Sequence, residues 1–216
     1  WDPPMRFNDT TRYYFEKIGT VSTPEEAARY NGLFDPAKAP AIREYLAEHE
    51  PNNYSMLHTS ISPNIITAGY RINVIPSEAQ ATLDVRALPD ENMPAFIELM
   101  RKVINDPQVE VVYEARNARP PAAPSRIDSE AYHLIEVANQ KVYKTMTIPQ
   151  MGNGATDMSY LRAKGVQCYG IGPMVDEEDA PKGFGAHSDQ ERLLEDALYK
   201  FVQFNWEAVT SLAAKK

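Results

Sequence analysis

One stretch, from Ile61 to Pro89, constrains the fold of this chain more than any other. After Pro76, Ala79, Ala81, Leu83 and Val85 fall on one parity and Gln80, Thr82, Asp84 and Arg86 on the other. That period of two predicts a half-buried β-strand, Ser77–Leu88, with Arg86 on its polar face. Apolar runs upstream predict two more strands, Ser55–Ser62 and Ile65–Tyr70, and a turn that offers Asn73 beside the rigid Ile75-Pro76 step. Polar side chains are thereby expected on a stiff frame.

Helical signals precede this sheet. Asn8 or Asp9 is placed to cap a helix through Thr11–Lys17 that Gly19 ends, and Thr23, Pro24 and Glu26 form a capping box for a second helix ending near Gly32. A third is predicted over Ala41–His49, stopping before Pro51. Tyr13, Tyr14, Phe15, Tyr30, Phe34 and Tyr45 read as packing aromatics, with a ligand platform as the rarer use. Downstream, Asp90 is placed to cap a helix carrying Phe96, Leu99, Met100, Val103 and Ile104 at helical spacing, and Val109–Glu114 reads as a further strand. Strands and a helix in this order describe most of a two-layer α+β sandwich.

The proline-bearing segment Asn117–Ser125 reads as a linker, and beyond it the grammar changes. Ser129 caps a helix to about Val142, Thr147–Met151 is a short strand, Gly152–Asp157 turns into a helix with Met158, Leu161 and Arg162, Val166–Ile171 is a buried strand, and Ser188–Leu212 a long closing helix. This is α/β order, with too few strands for an independent doubly wound sheet. The acidic run Asp176–Asp179 lacks the alternation of a calcium loop and reads as a solvated loop.

Composition excludes several classes. A net charge of -8 over 216 residues gives no nucleic-acid footprint, and the single cysteine, Cys168, allows neither an internal disulfide framework nor a cysteine-based zinc knuckle. No apolar run approaches the ~20 residues that span a bilayer, so no membrane partner is expected. The compartment is left open. Because residue 1 is Trp1 and not methionine, the chain is expected to be a portion of something longer.

Two further stretches carry candidate chemistry. In Gly152–Asp157 the backbone N–H groups of Gly154, Ala155 and Thr156 stand ahead of a helix, a setting that suits an anion, although glycine turns before helices are common. His187 lies in the glycine-rich run Gly183-Phe-Gly-Ala-His-Ser-Asp-Gln-Glu191-Arg192. Locally it reads as a surface histidine, with Glu191 placed to orient the loop. His58 reads as a surface or partly packed strand residue and His133 as exposed.

The pattern Gly-x-x-x-Asn-Val-Ile-Pro-x-x-Ala-x-Ala-x-x-Asp-x-Arg-x-Leu-Pro, together with Gly154-Ala-Thr-Asp-x-x-x-Leu-Arg and the His187 run, resembles the di-zinc aminoacylase/carboxypeptidase family of metallopeptidases. That family includes acetylornithine deacetylase and succinyl-diaminopimelate desuccinylase. The resemblance runs from about Trp1 to Ala214. It implies most of the lid, or dimerisation, domain over 1–116, with a helical insertion, and the C-terminal segment of the α/β catalytic domain over 117–216. It further implies hydrolysis of a peptide or N-acyl amide bond beside a carboxylate-bearing residue, with Asn73, Arg86, Gly154 and Thr156 binding substrate and His187 as a zinc ligand.

The same resemblance marks what the chain lacks. The family's His-x-Asp pair, bridging Asp, Glu-Glu pair with the general base and further acidic ligand all precede the lid, its Gly-His motif lies in the first part of the lid, and none has a counterpart here. The chain by itself is therefore expected to be inactive, with no catalytic residue of its own, one ligand of a two-zinc site, the missing N-terminal half as partner and a homodimer formed through the lid. The substrate would be a small peptide or N-acyl amino acid. The alternatives are a non-catalytic lid module and one chain of a two-chain enzyme.

Overall fold

Short polar side chains start the helices where local sequence places them. The structure is a computed structural model, and it describes residues 1–152, 154–179 and 181–214. In α1 (Asp9–Ile18) the Asn8 side chain accepts from the Thr11 N–H at 2.9 Å while the Thr11 hydroxyl accepts from the Asn8 N–H at 3.0 Å. In α2 (Pro24–Gly32) Thr23 and Glu26 exchange the same pair of bonds at 3.3 and 2.9 Å. Each box satisfies backbone donors that no helical carbonyl can reach, an effect of about 1 kcal/mol. Helix α3 (Ala39–His49) stops where Pro51 begins α4 (Pro51–Ser55).

The chain divides into two compact units, Trp1–Pro124 with Pro149–Val166, and Ser125–Ile148 with the chain from Gln167 onward. In the first, Phe15, Leu46, Met56 and Leu57 are fully buried. The Phe15 ring meets those of Phe7, Tyr14 and Tyr30 at 6.4, 5.0 and 5.7 Å, so these aromatics pack against one another as a core. Thr59 then ties the helical layer to the segment after the sheet. Its hydroxyl donates to Glu91 at 2.5 Å and accepts from the Leu88 N–H at 3.2 Å, and Arg6 reaches the same Glu91 at 3.0 Å.

Glu50 gathers a polar knot at the edge of that core. It accepts from the Tyr30 hydroxyl at 2.9 Å, from Asn53 at 2.6 Å and from Arg29 at 3.1 Å. Burial, and then the bond to Glu50 and its charge, push the Tyr30 phenol well above its ordinary value of 10.0. A phenol raised on folding contributes stability that is complete below the unfolded value and is lost as pH rises toward the folded one. Stability is therefore expected to begin falling above about pH 10, and Tyr30→Phe to flatten that decline. Urea melts from pH 8 to 11.5 check this, and parallel declines in the two proteins would count against it.

The sheet has two antiparallel strands, β1 (Ser60–Ala68) and β2 (Ala79–Arg86). The two strands expected over Ser55–Ser62 and Ile65–Tyr70 are thus one, and Ser55 belongs to α4. Pro63, which has no N–H to offer the ladder, is absorbed by a bulge between Pro63 and Ile65 that leaves Asn64 unpaired, so the strand continues. The bulge also keeps the faces in phase. Ile61, Pro63, Ile66 and Ala68 pair with Val85, Leu83, Ala81 and Ala79, and Ser60, Ser62, Ile65 and Thr67 with Arg86, Asp84, Thr82 and Gln80.

The half-buried strand is corrected in one respect: its apolar face is open. Ile66 is 72% exposed and Leu83 37%, because nothing among the described residues lies across the ribbon. Helix α5 (Met93–Ile104) buries Phe96 and Met100, with the Trp1 ring 5.7 Å from Phe96, and leaves Leu99, Val103 and Ile104 partly exposed. Its cap is Asn92, not Asp90. The Asn92 side chain accepts from the Ala95 N–H at 3.0 Å, whereas Asp90 turns toward Arg6.

In the second unit α6 (Glu130–Val142), capped by Ser129, packs on α8 (Glu195–Ala213). The Tyr143 and Phe204 rings lie 5.9 Å apart and Lys141 meets Glu207 at 2.6 Å. The expected start of α8 at Ser188 moves to Glu195, since 188–190 forms a bend and turn and 191–194 is irregular. The segments Val109–Glu114, Thr147–Met151 and Val166–Ile171 form no strands, because none has a ladder partner among the described residues. The architecture is α+β, an antiparallel two-stranded sheet with helices. No helix among the described residues is long and apolar enough to cross a membrane.

Candidate functional site

Arg86 closes β2 opposite Ser60, on the polar face of the ribbon. Two residues back on the same face, Asp84 accepts from its Nε and Nη2 at 2.9 and 2.7 Å through one carboxylate oxygen. The contact occupies one edge of the guanidinium and leaves the remaining N–H groups, including both on Nη1, for a second partner. Both side chains are solvent-accessible. A pinned, accessible arginine fork is suited to a carboxylate.

Asn73 is exposed in the loop 69–78 that joins the strands, within the turn in which the Val74 N–H donates to the Arg71 carbonyl. Gly69, at φ +70°, and Pro76 close the neck of this loop. Ala79 and Arg86 are seven residues apart along β2, about 24 Å at strand spacing. The hairpin therefore sets Asn73 and Arg86 at opposite ends. They do not converge on one small group within a single chain.

Of the Gly152–Asp157 turn, residue 153 lies outside the described residues. Gly154 is exposed in open space, where an added Cβ would meet nothing within 4 Å. Thr156 is used locally: its hydroxyl accepts from the Met158 N–H at 3.3 Å and its carbonyl from the Ser159 N–H at 3.2 Å. The helix that follows, α7 (Met158–Arg162), is a single turn and a half, too short for a substantial end charge.

In the second unit His187 is exposed at the crest of a turn in which the Ser188 N–H donates to the Gly185 carbonyl. Its φ of +67° is left-handed, a conformation that costs a residue with a Cβ about 1–2 kcal/mol. Glu191 holds it there, accepting from the His187 N–H at 3.0 Å. The acidic run beside it is not simply solvated. Asp179 is 4% exposed and receives Arg192 through Nε and Nη2, at 3.0 and 2.5 Å. Those bonds hold its carboxyl below the ordinary carboxylate range.

The other histidines are elsewhere. His58 is buried, outside the strand, with Nδ1 2.9 Å from the Tyr54 carbonyl, and His133 is exposed on α6. No group of three or more His, Cys, Asp or Glu among the described residues is arranged to hold a metal ion. His187 fits a metal as one donor of a larger set. Asp84 was legible as a same-face neighbour of Arg86 but not as its partner. The Asp179–Arg192 pair had no local signal, because loop closure brings it together.

Residues 36–112 match the family model described as the peptidase dimerisation domain. The chain is 25% identical over 173 residues to the N-fatty-acyl-amino acid synthase/hydrolase of Homo sapiens, covering 79% of this chain and 34% of that protein. It is 27% identical over 157 residues to aminoacylase-1 of Mus musculus, covering 72% and 37%. It is 29% identical to a probable carboxypeptidase S-like protein of Dictyostelium discoideum over 62% of this chain and 25% of that one. The chain thus spans about a quarter to somewhat over a third of the length of these relatives. Its fold resembles that of an M20 family metallo-carboxypeptidase from Sulfolobus solfataricus, with a TM-score of 0.59 at 17% identity, covering 94% of this chain and 45% of that one. The exposed ribbon sits inside the matched segment, and the domain match, the relatives and the fold together support the M20 peptidase family.

Proposed function

We propose that the protein to which this chain belongs is a zinc-dependent M20 hydrolase cleaving a peptide or N-acyl amide bond next to a carboxylate-bearing residue. In this reading residues 1–116 are most of the lid and 117–216 the end of the catalytic domain. The observation that carries the reading is Arg86, its fork pinned by Asp84 and still accessible, inside a segment matched to the M20 dimerisation domain. Arg86 binds the substrate carboxylate. Gly154 and Thr156 offer backbone N–H groups to a polar group of the substrate. Asn73, at the far end of the hairpin, serves a different contact from Arg86. The open apolar face of the ribbon supports assembly into a homodimer through the lid.

His187 contributes one metal donor; since no group of three or more His, Cys, Asp or Glu among the described residues is arranged to hold a metal ion, this reading assigns the remaining ligands and the general base to the rest of the protein. Zinc, when bound, supplies Lewis-acid polarisation of the scissile carbonyl. The 216-residue chain alone is expected to turn over nothing. A protein joining it to the rest of an M20 catalytic domain is expected to hydrolyse an N-acyl amino acid about 100-fold more efficiently than its carboxamide, which it still turns over slowly, to lose activity on chelation and to regain it with zinc. Equal rates on acid and carboxamide would refute the carboxylate grip. No hydrolysis of any N-acyl amino acid or dipeptide, with dimer formation intact, would favour a non-catalytic lid module, which the exposed ribbon also suits.

A further inference from the structure

Between Asp179 and Arg192 the chain makes an excursion that closes on itself at two levels. At the base, Arg192 grips the nearly buried Asp179 carboxylate, the Phe184 N–H donates to the Asp179 carbonyl at 2.9 Å, and the guanidinium lies 4.2 Å from the centre of the Phe184 ring. At the crest, His187 takes its left-handed turn and Glu191 accepts from its N–H. Glu191 and Arg192 are consecutive. Anchoring Arg192 therefore fixes the backbone from which Glu191 reaches back to His187.

We propose that the Asp179–Arg192 pair, backed by Phe184, is a positioning element that holds His187 in its left-handed conformation before any ligand arrives. The functional value of this presentation rests on His187 being a metal donor, as proposed above. The buried carboxylate needs its charged partner, and Arg supplies a planar fork that also stacks on an aromatic ring, which lysine cannot match. A preformed loop spares the ordering cost that a free glycine-rich loop meets on binding. Arg192 and Asp179 act through Glu191 and His187 and touch no substrate in this role.

The test is amide exchange of the intact 216-residue chain, read by magnetisation-transfer NMR at the His187 N–H with the His187 Cα and Cβ shifts as conformational markers. Arg192→Gln and Asp179→Asn are each expected to speed exchange at His187 at least tenfold and to move its shifts off left-handed values, with amides in the middle of α8 unchanged. Arg192→Lys is expected to fall between. Unchanged exchange and shifts at His187 in both variants would overturn the proposal. Should those variants fail to fold, Phe184→Leu, which keeps the ion pair, is expected to speed exchange two- to threefold, and no change would overturn it equally. Zinc titration of the unaltered chain, followed at the His187 ring carbons, reads the donor assignment separately. Absence of a zinc-induced shift there removes the donor reading and leaves the exchange result standing.

Discussion

Phe15→Ala is expected to lower the melting temperature by about 10 °C or more, the largest stability effect of any single truncation in the helical layer. Phe15 is fully buried and central to its aromatic cluster, with Phe7 and Tyr14 edge-on and Tyr30 tilted against it. Removing such a ring forfeits its burial and leaves a cavity that neighbours on three sides are too rigid to fill, about 3–5 kcal/mol. Domains of this kind have about 5–15 kcal/mol in all, and each kcal/mol moves the midpoint by about 2–4 °C at this size. Far-ultraviolet circular dichroism melts would check it. A shift below about 3 °C would mean that the cluster does not hold this layer together.

Arg86→Ala should raise KM for a carboxylate-bearing substrate about 100-fold in a complete M20 hydrolase carrying this chain, while leaving the rate on the matching carboxamide nearly unchanged. Two charge-assisted bonds of about 1.5–3 kcal/mol each set the scale. Asp84 already holds the Nε edge, so the outer edge meets the ligand without searching for its orientation. Arg86→Lys is expected to recover only part of the loss, since it restores charge without the fork. Asp84→Asn should cost a smaller factor by loosening the guanidinium. The idea is refuted if Arg86→Ala slows acid and carboxamide alike, because then the arginine would matter for the fold or the lid and not for the carboxylate.

Much of the helical layer was legible because helix ends are local events. Asn8, Thr23 and Ser129 begin helices as their short acceptors dictate. Gly19 ends α1, and His49 is the last residue of α3 before Pro51. Asp90 misled because two capping residues stand within three positions; Pro94 favours Asn92, since in the first turn its missing N–H costs nothing, whereas a start at Asp90 would put it where a helical bond is due. Pro63 read as a break between strands, yet a bulge passes it without loss of register. The candidate residues followed the same division. Arg86, Asn73 and His187 were named from their motifs, but their settings, one pinned by Asp84, one at the hairpin's far end and one held left-handed by Glu191, were not in any local pattern.

The sequence by itself determined the caps, the alternation that places Arg86 and Asp84 on one face, and the fingerprints that point to the family, because each depends on residues within a few positions of one another. Tertiary structure alone decided which extended segments became strands, that the apolar side of the ribbon stays open, and that Asp179 is buried against Arg192. Those outcomes depend on what lies across from a residue in space. A strand needs a ladder, an apolar face needs a cover and a buried carboxylate needs a cation, and none of these partners is announced by the residue that requires it.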